Sequence, residues 1–403
     1  MTVQSQSDAD PLSAAEAPPW RMWAAAWIVT AVFILSNSAT PLYVHWQGEI
    51  GFSSATLTVI FAAYIFGLLL ALLVAGQLSD RYGRKPVLIP GLLAAMAACL
   101  LFAAAESVAM LVIARLLSGI AIGVIVSAGM ASVVDLGGPE RRKSASLAAS
   151  VAMVLGAGLG PLLAGASAQV LSQPVLPIFA AEFLILVSAF IAIAILPLKR
   201  SAPSDGWRLR LPGVPQPNRK HLAFGIAVFG PGITATSFVL SLGPSLLSRL
   251  LDVTSPLVAG GMACAMFLTA TGVQFAVRRL SVRTIFIIGS AATVLSMLGI
   301  VVAVNGSIAT ILVAAALLAG AGQGLGQLGG LTLIGLHVPA HRRAEANAVL
   351  NFGGYIPAGL LPVATGYLID LTGFAAGATA FATLLAAVAV GGAAFVAARL
   401  TKE

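Results

Sequence analysis

The sequence predicts an all-α membrane protein with about twelve transmembrane helices. Charged residues make up 9% of the 403-residue chain and hydrophobic residues 59%, whereas soluble domains carry about 25% charged residues. The apolar residues form runs of roughly 20 or more, which is the length of a helix that spans the hydrocarbon core. Because these runs do not alternate with a period of two, they do not fit an outer-membrane barrel.

The apolar runs place the helices along the chain as follows, with ends that are uncertain by several residues. The predicted spans lie near 22–43, 55–78, 86–105, 109–134, 146–168, 175–197, 222–246, 256–277, 284–304, 308–336, 346–369 and 374–398.

The distribution of cations predicts how these helices are oriented. With the N-terminus inside, 20 of the 22 Lys and Arg residues fall in cytoplasmic segments, as the positive-inside rule requires. Arg249 falls in an outer loop and Arg115 within a span. The net charge of +8 therefore reflects topology and needs no nucleic-acid partner. We expect a multi-pass protein of the cell (inner or plasma) membrane with both termini in the cytoplasm.

Two similar halves are expected, because short motifs recur at an offset of 200 or 201 residues. Pro139-Glu-Arg-Arg returns as Pro339-Ala-His-Arg-Arg, and Gly160-Pro161 is echoed by Leu361-Pro362. Two like halves suit a carrier that rocks one bundle against the other around a central site. The predicted organisation is a disordered cytoplasmic tail (1–20), an N-terminal six-helix bundle (21–198), a cytoplasmic linker (199–220), a C-terminal six-helix bundle (221–398) and a cytoplasmic tail (399–403).

The segment 76–88 combines two glycines, one carboxylate and three cations between two apolar runs. Such a charged cluster must lie outside the hydrocarbon, so its flanks form a helical pair joined by a tight turn. We expect Gly76 and Gly83 to permit close helix approach and the reversal, and Asp80 to lie on the buried side. The alternative is an ordinary positive-inside turn, which explains the cations but neither Asp80 nor the glycine spacing.

The pattern of this segment, G-x-L-x-D-R-x-G-R-K, resembles the loop between the second and third helices of major facilitator superfamily transporters. In that family the loop latches the two halves in the outward-open state, together with an acid at the end of the fourth helix. Asp135 stands at the matching place and is expected to pair with Arg84. The resemblance assigns a conformational latch to Gly76, Asp80, Arg81, Gly83, Arg84 and Asp135, and it implies two pseudo-symmetric six-helix bundles.

Arg115 falls inside an apolar span. A charge at mid-bilayer costs about 2.5–3.5 kcal/mol on insertion scales, so Arg115 is expected to face a polar interior and to have a partner. The alternative is an arginine that reaches the interface from the outer end of its helix. The surrounding Leu111-x-x-x-Arg115-x-x-Ser118-Gly119 resembles the fourth-helix motif of proton-linked family members, with Ser118 where Gln is usual. The resemblance implies that Arg115 takes part in proton coupling.

Glu182 is the candidate proton carrier, because it lies several residues into the sixth span, where desolvation disfavours the charged form of a carboxylate. The alternative is that the span starts later and Glu182 lies at the outer interface. Several multidrug exporters carry an acid in the first span, and this chain has none there. Proton coupling is therefore inferred from the family resemblance.

The fifth span contains Gly156-x-Gly-x-Gly160-Pro161-x-x-Ala164-Gly165, which resembles the Gly-Pro signature of exporters in this family. Pro161 removes an intrahelical hydrogen bond, and the glycines permit a kink and close packing. We therefore interpret Gly156, Gly160, Pro161 and Gly165 as an export-type helix motif. The alternative is a packing kink with no bearing on direction.

Neutral polar residues within the spans are the candidates for a substrate-binding lining, and they favour a neutral or amphipathic solute. They are Asn37, Tyr64, Gln323, Gln327, Asn351 and Tyr355. Gly324-x-Gly326-x-x-Gly329 matches a dinucleotide-binding pattern, but it sits inside a long apolar run with no βαβ context. These glycines are expected to serve helix packing.

The sequence as a whole predicts a secondary transporter that exports a small organic solute, such as a drug-like compound or a sugar, in exchange for protons. The alternatives are a proton-coupled importer, a uniporter of a small metabolite, or a non-transporting membrane receptor. No nucleophile–base pair or metal-ligand cluster is evident in the sequence, so we expect no enzyme activity, catalytic residue, cofactor or metal. The expected partners are the solute, protons and the lipid bilayer, and the expected state is a monomer.

Overall fold

The computed structural model describes residues 18–138, 140–198, 213, 216–339 and 342–400. Within these ranges the chain is helical and contains no strand. The helices are α1 Pro19–Ser38, α2 Tyr43–Ile50, α3 Ser54–Tyr82, α4 Arg84–Ala103, α5 Val108–Val124, α6 Met130–Gly137, α7 Arg142–Val170, α8 Val175–Ile195, α9 Arg219–Arg249, α10 Pro256–Ala276, α11 Val282–Gly306, α12 Ala309–His337, α13 Arg343–Thr372 and α14 Phe374–Arg399.

The number of membrane-crossing segments agrees with the sequence. Twelve helical segments of the described chain are long and apolar enough to cross a membrane. The first of them is longer than expected, because a short 3₁₀ segment at 40–42 joins α1 to α2 and carries the helix on to residue 50. The fourth combines α5 and α6 through a π-helical turn, Ile125–Gly129, a distortion that is frequent at functional sites.

The predicted tail and linker boundaries are partly wrong where the structure describes them. Residues 19–20 are already helical, so the segment 1–20 is not wholly disordered. Likewise α9 begins at Arg219, within the predicted linker 199–220, and α14 runs through Arg399, within the predicted tail 399–403. The rest of these segments lies outside the described residues, except Pro18 in the first tail, Gly213 and 216–218 in the linker and Leu400 in the last tail.

Small residues allow the helices to approach each other through their backbones. A Cβ atom on Gly119 of α5 would meet the Tyr64 carbonyl oxygen and lie 2.9 Å from the Leu68 nitrogen of α3. On α12, Gly320 and Gly324 pack in the same way on carbonyl oxygens of α10. Helices in lipid associate mainly through such close packing. The dinucleotide-like glycine pattern is therefore a packing surface inside a helix.

We refer to α1–α8 as the first half and to α9–α14 as the second half. The halves meet along two helix pairs, α7 with α10 and α3 with α13. At the first pair, a Cβ atom on Gly165 would meet the Pro256 carbonyl oxygen, and one on Gly260 would meet the Pro161 carbonyl oxygen. The backbones of α7 and α10 are therefore in direct contact, with no side chains between them.

Gly119→Ala is expected to lower the thermal unfolding temperature of the purified protein. The methyl group would be pressed against the α3 backbone, and overpacking of this kind costs about 1–3 kcal/mol, more than the helix-propensity gain of about 1 kcal/mol. Thermal unfolding in detergent measures this. The matched control is Gly261→Ala in α10, where a Cβ atom meets nothing within 4 Å and stability should be unchanged or higher. Equal unfolding temperatures for both variants would contradict the packing argument.

Candidate functional site

Arg115 is completely buried, with 0% of its surface exposed. Its Nη1 donates a hydrogen bond of 2.6 Å to the Ser36 carbonyl oxygen. Ser36 lies in the last turn of α1, where carbonyls lack intrahelical donors and the helix dipole is negative. An interior position with a partner is therefore confirmed, and an arginine that reaches the interface is not what the structure shows.

Aromatic rings enclose the Arg115 guanidinium. Its Cζ atom lies 5.1 Å from the ring centre of Tyr43, 5.7 Å from that of Phe61 and 5.8 Å from those of Tyr64 and Phe102. Cation–π attraction supplies part of the stabilisation that water would otherwise give. Nε and Nη2 nevertheless have no hydrogen-bond partner. These two donors are available to another acceptor.

Glu182 is also buried, with 6% of its surface exposed, and α8 begins at Val175, seven residues before it. It lies on α8 beside Ser38 of α1 and Cys99 of α4. The Cys99 Sγ donates to the Phe179 carbonyl oxygen at 3.0 Å, one turn away from Glu182. The Oε2 atom of Glu182 has no hydrogen-bond partner. The structure therefore holds a second buried ionisable group with unused hydrogen-bonding capacity.

Both buried groups contact the same end of α1. Arg115 bonds to Ser36, and Glu182 lies beside Ser38. No ion pair within 4.0 Å joins these two described side chains. The stacked rings of Phe102 and Phe179, 5.1 Å apart, stand beside the two groups, since Phe102 contacts Arg115 and Phe179 is one turn from Glu182. A shift of the α1 end would affect both groups.

Only part of the predicted substrate lining comes together. Tyr64 lies on α3 and Tyr355 on α13, two helices that pack against each other where the halves meet. Asn37 donates to the Ser36 hydroxyl at 3.0 Å and thus lies beside the Arg115 cluster. Asn351 instead bonds to the Asn347 carbonyl oxygen of its own helix at 2.9 Å.

The two glutamines of α12 are both partly buried. Gln323 has a buried Oε1 atom without a hydrogen-bond partner, and its backbone packs against Gly232 of α9. It is thus a lining candidate on the second-half side. A role in binding for any of these polar residues stays a prediction.

The loop at 76–88 forms a charge cluster centred on Arg84. The guanidinium donates to Asp135 at 3.1 Å, to Asp80 at 3.0 Å and to the Ser79 hydroxyl at 2.8 Å. Gly83 has a φ of 92°, a conformation that favours glycine and makes the tight reversal. The expected Arg84–Asp135 pair is therefore present, and the cluster ties α3, α4 and α6 of the first half together.

Two expectations about this loop are wrong in the observed conformation. The Asp80 side chain is 76% exposed, so it does not lie on a buried side. A Cβ atom on Gly76 would meet nothing within 4 Å, so this glycine makes no close helix contact. Arg81 lies over the Tyr82 ring at 5.1 Å. The cluster leaves Asp80 and Gly76 open to a partner surface.

The opposite ends of the helices hold the two halves together. Asp370, in the last turn of α13, accepts hydrogen bonds from the Ser54 and Ala55 backbone nitrogens at 3.0 and 2.9 Å. These are the first residues of α3, so a carboxylate of one half caps a helix N-terminus of the other. Such a contact is favourable because it combines charge-assisted hydrogen bonds with the positive end of the helix dipole.

Two further hydrogen bonds cross between the halves at this end. The Ser245 hydroxyl of α9 donates to Gln47 Oε1 of α2 at 2.9 Å, and the Ser255 hydroxyl donates to Gln169 Oε1 of α7 at 2.7 Å. We call the contacts of Asp370, Gln47 and Gln169 the polar seal. It lies at the helix ends opposite to Arg84.

The glycine–proline motif of α7 also lies at the contact between the halves. Gly156 and Gly160 pack on α1, where a Cβ atom would meet the backbone of Thr30 and Ile34. Pro161 and Gly165 instead face α10 of the second half through their backbones. The motif is thus a packing surface on both sides of one helix, placed where the halves meet.

A family model described as Major Facilitator Superfamily matches residues 23–284, which is more than half of the 403 residues. The chain belongs to the major facilitator superfamily. The match agrees with the twelve-helix architecture and with the motif at 76–88, and it places the chain among multi-pass membrane proteins.

Individual members of the superfamily align with part of the chain. Major facilitator superfamily domain-containing protein 10 of Homo sapiens is 34% identical over 179 residues, covering 41% of this chain and 39% of that protein. Multidrug resistance protein 2 of Bacillus subtilis is 30% identical over 148 residues, covering 36% of each chain. The alignments thus span less than two fifths of either relative.

A solved structure shares the fold over almost the full length. A POT family transporter in complex with a thioalcohol-conjugated peptide superposes with a TM-score of 0.78, covering 95% of this chain and 96% of that one. Its sequence identity is 12%, so the likeness concerns the fold alone.

The sequence reasoning missed the polar seal. Asp370 follows an apolar run directly, and Gln47, Gln169, Ser245 and Ser255 lie near the ends of other spans, where polar residues are common. The available signal was the acidic residue at the end of each of two spans. Asp80 ends the second span of its half and Asp370 ends the fifth of the other, so each half supplies an acid at one end of the α3–α13 contact.

Asp370→Asn is expected to loosen the contact between α3 and α13. An amide has one oxygen and no charge, so it cannot accept both backbone hydrogen bonds, and loss of about 1 kcal/mol shifts an equilibrium about fivefold. Val59 and Tyr367 lie on exposed faces of these helices and can be replaced by cysteines that carry spin labels. Double electron–electron resonance then measures the distance between the two labels. The variant should show a larger population of long distances.

The matched control for this measurement is Asp252→Asn. Asp252 is an exposed carboxylate beyond the C-terminus of α9, and asparagine tolerates its φ of 53°. The control should leave the distances unchanged. Identical distance distributions for the Asp370 variant and the unsubstituted protein would show that the capping contact does not hold α3 against α13.

Proposed function

We propose that the protein is a secondary transporter that moves a small organic solute across the membrane by alternating access. The observation that carries the proposal is the polar seal together with the exposed Arg84 loop at the opposite ends of the same helices. At one end, the hydrogen bonds of the polar seal join the two halves. At the other end, Asp80 is exposed and Gly76 makes no close contact with another helix. A carrier of two rocking bundles requires two such ends that close in turn.

We assign the Arg84 end to the cytoplasm, since the positive-inside rule places the basic loops there. The conformation is then closed towards the outside. In this assignment the loop with Gly76, Asp80, Arg81, Gly83, Arg84 and Asp135 is the latch of the alternative, outward-open state. Both termini lie in the cytoplasm of a cell-membrane protein.

The proposed direction is export. It rests on the resemblance of Gly156, Gly160, Pro161 and Gly165 to the exporter signature and on the similarity to a multidrug resistance protein. The solute is expected to be neutral or amphipathic, because the polar groups around the Arg115 cluster are amides and phenols. Tyr64 and Tyr355, one from each half, are the strongest lining candidates, and Asn37, Gln323, Gln327 and Asn351 complete the set.

Export in exchange for protons is the proposed energy source, with Glu182 as proton carrier. Glu182 lies beside the Ser38 hydroxyl, at the same end of α1 to which Arg115 bonds. Once ionised, the Glu182 carboxylate would be drawn to the unused donors of Arg115. Release of the proton would thus draw Glu182 and Arg115 together and displace the end of α1, which both side chains contact.

The rival within carriers is import or facilitated diffusion, and the rival outside them is a binding-only receptor. Purified protein in vesicles with an imposed pH gradient distinguishes them. The proposal expects a drug-like solute to accumulate against its gradient when protons flow the other way. Saturable binding without counterflow would favour a receptor, and uptake in the direction of the protons would favour an importer.

Glu182→Gln is expected to abolish the dependence of solute flux on the pH gradient while leaving passive exchange of solute. The amide keeps the shape and the hydrogen-bonding capacity of a protonated carboxyl but cannot release a proton. Flux in vesicles at several imposed gradients measures this. An unchanged response to the gradient would exclude Glu182 as the coupling group.

Arg115→Ala is expected to reduce flux by at least about tenfold, since loss of a buried charge contact costs about 1.5–3 kcal/mol and removes the donors that Glu182 would use. Its matched control is Arg249→Ala, which removes an exposed arginine at the end of α9 and should leave flux nearly unchanged. The comparison needs equal amounts of folded protein in the vesicles. Similar flux for both variants would show that Arg115 is only a packing element.

A further inference from the structure

We propose that a cavity on the lipid-facing side of the second half binds one acyl chain of an anionic phospholipid. The cavity has a volume of about 380 Å³ and lies between α9, α13 and α14. Its walls include Ile226 and Ala227 of α9, Gly353 and Pro357 of α13, and Val388 and Gly391 of α14. The inference rests on the membrane fold and not on the proposed transport.

The cavity opens towards hydrocarbon. Val388, Gly391 and Phe395 on its α14 side are exposed, and all three lie inside a helix that is apolar enough to cross a membrane. Thr234 is its one polar lining residue, and its hydroxyl donates to the Gly230 carbonyl oxygen at 2.7 Å. A groove without free polar groups suits an alkyl chain.

The corresponding place in the first half is filled by the protein itself. Residues 200 positions earlier than Ala227 and Val388 are Trp27 and Ser188, and the Trp27 indole donates a hydrogen bond of 2.9 Å to the Ser188 hydroxyl. The duplicated architecture therefore puts an indole side chain where the second half has a methyl group and a void. The void is specific to one half, so the fold itself does not require it.

Two cations stand at one end of the cavity. The rings of Phe224 and Phe395, 4.9 Å apart, close that end. Lys220 precedes Phe224 by one helical turn on α9, and Arg399 follows Phe395 by one turn on α14, so each lies on the same helix face as its ring. Both side chains are exposed.

An acyl chain in the cavity would place its headgroup beside these two cations. Cations next to a membrane-spanning helix attract anionic lipids, and a hydrophobic solute has no group that would need them. Charge complementarity therefore favours an anionic phospholipid over the transported solute as occupant.

Native mass spectrometry of the purified protein tests the proposal. The protein is incubated in detergent with equal amounts of dioleoyl phosphatidylglycerol and dioleoyl phosphatidylcholine, and the retained lipids are counted. The unsubstituted protein should retain phosphatidylglycerol preferentially. Gly391→Leu should lose that lipid, because the new side chain fills the cavity from a position where a Cβ atom meets nothing within 4 Å.

The headgroup contact has its own variant and control. The double variant Lys220→Gln, Arg399→Gln should weaken phosphatidylglycerol retention by about fivefold per cation removed and bring it to the level of phosphatidylcholine. Arg249→Gln, at the opposite end of α9, should retain the lipid as the unsubstituted protein does. Unchanged unfolding temperatures establish that all variants are folded.

Several outcomes would overturn the proposal. Equal retention of both lipids by the unsubstituted protein would remove the headgroup preference. Undiminished phosphatidylglycerol binding by Gly391→Leu would place the lipid elsewhere on the surface. Reduced solute flux in Gly391→Leu with undiminished lipid binding would assign the cavity to the solute. The lipid-retention results do not depend on whether the protein transports a solute, so a failure there differs from a failure of the proposed function.

Discussion

The contact of α7 with α10, backbone against backbone, is the constraint on which the rest of the structure depends. In lipid there is little hydrophobic gain from bringing two apolar helices together, so association relies on close packing and polar contacts. The carbonyl oxygens of Pro161 and Pro256 face the Cα atoms of Gly260 and Gly165 without intervening side chains. This contact holds the backbones of the two halves directly against each other.

The buried polar groups are placed around this constraint. The polar seal adds directional bonds at the end where the backbones meet, and Asp370 supplies the only charge among its three bonded pairs. Deeper in the first half, Arg115 and Glu182 share the end of α1, which also packs on Gly160 of α7. A movement of α7 against α10 would thus be transmitted directly to the end of α1 and to the two buried ionisable groups.

The sequence predicted the architecture well because the length and hydropathy of an apolar run are enough to identify a membrane-spanning helix. Arg84 and Asp135 could be paired because the segment resembles the superfamily loop, in which an acid at the end of the fourth helix joins the charge network. Asp80 and Gly76 were placed wrongly because the charge and glycine pattern does not specify which neighbouring surface, if any, packs against this loop. The contact of Asp370 was missed because its partners are backbone nitrogens. Almost every residue has a backbone N–H group, so such a partner cannot be recognised from the residue types.

Locking the α7–α10 contact tests the central claim most directly. In a variant with Cys99 and Cys264 replaced by alanine, cysteines at Gln169 and Ser255 are joined by a short thiol crosslinker. The account predicts that crosslinked protein in vesicles carries no solute, and that cleavage of the linker restores the flux of the uncrosslinked variant. Full transport by protein whose crosslinking is complete would contradict it, because the halves would then move solute without separating at this end.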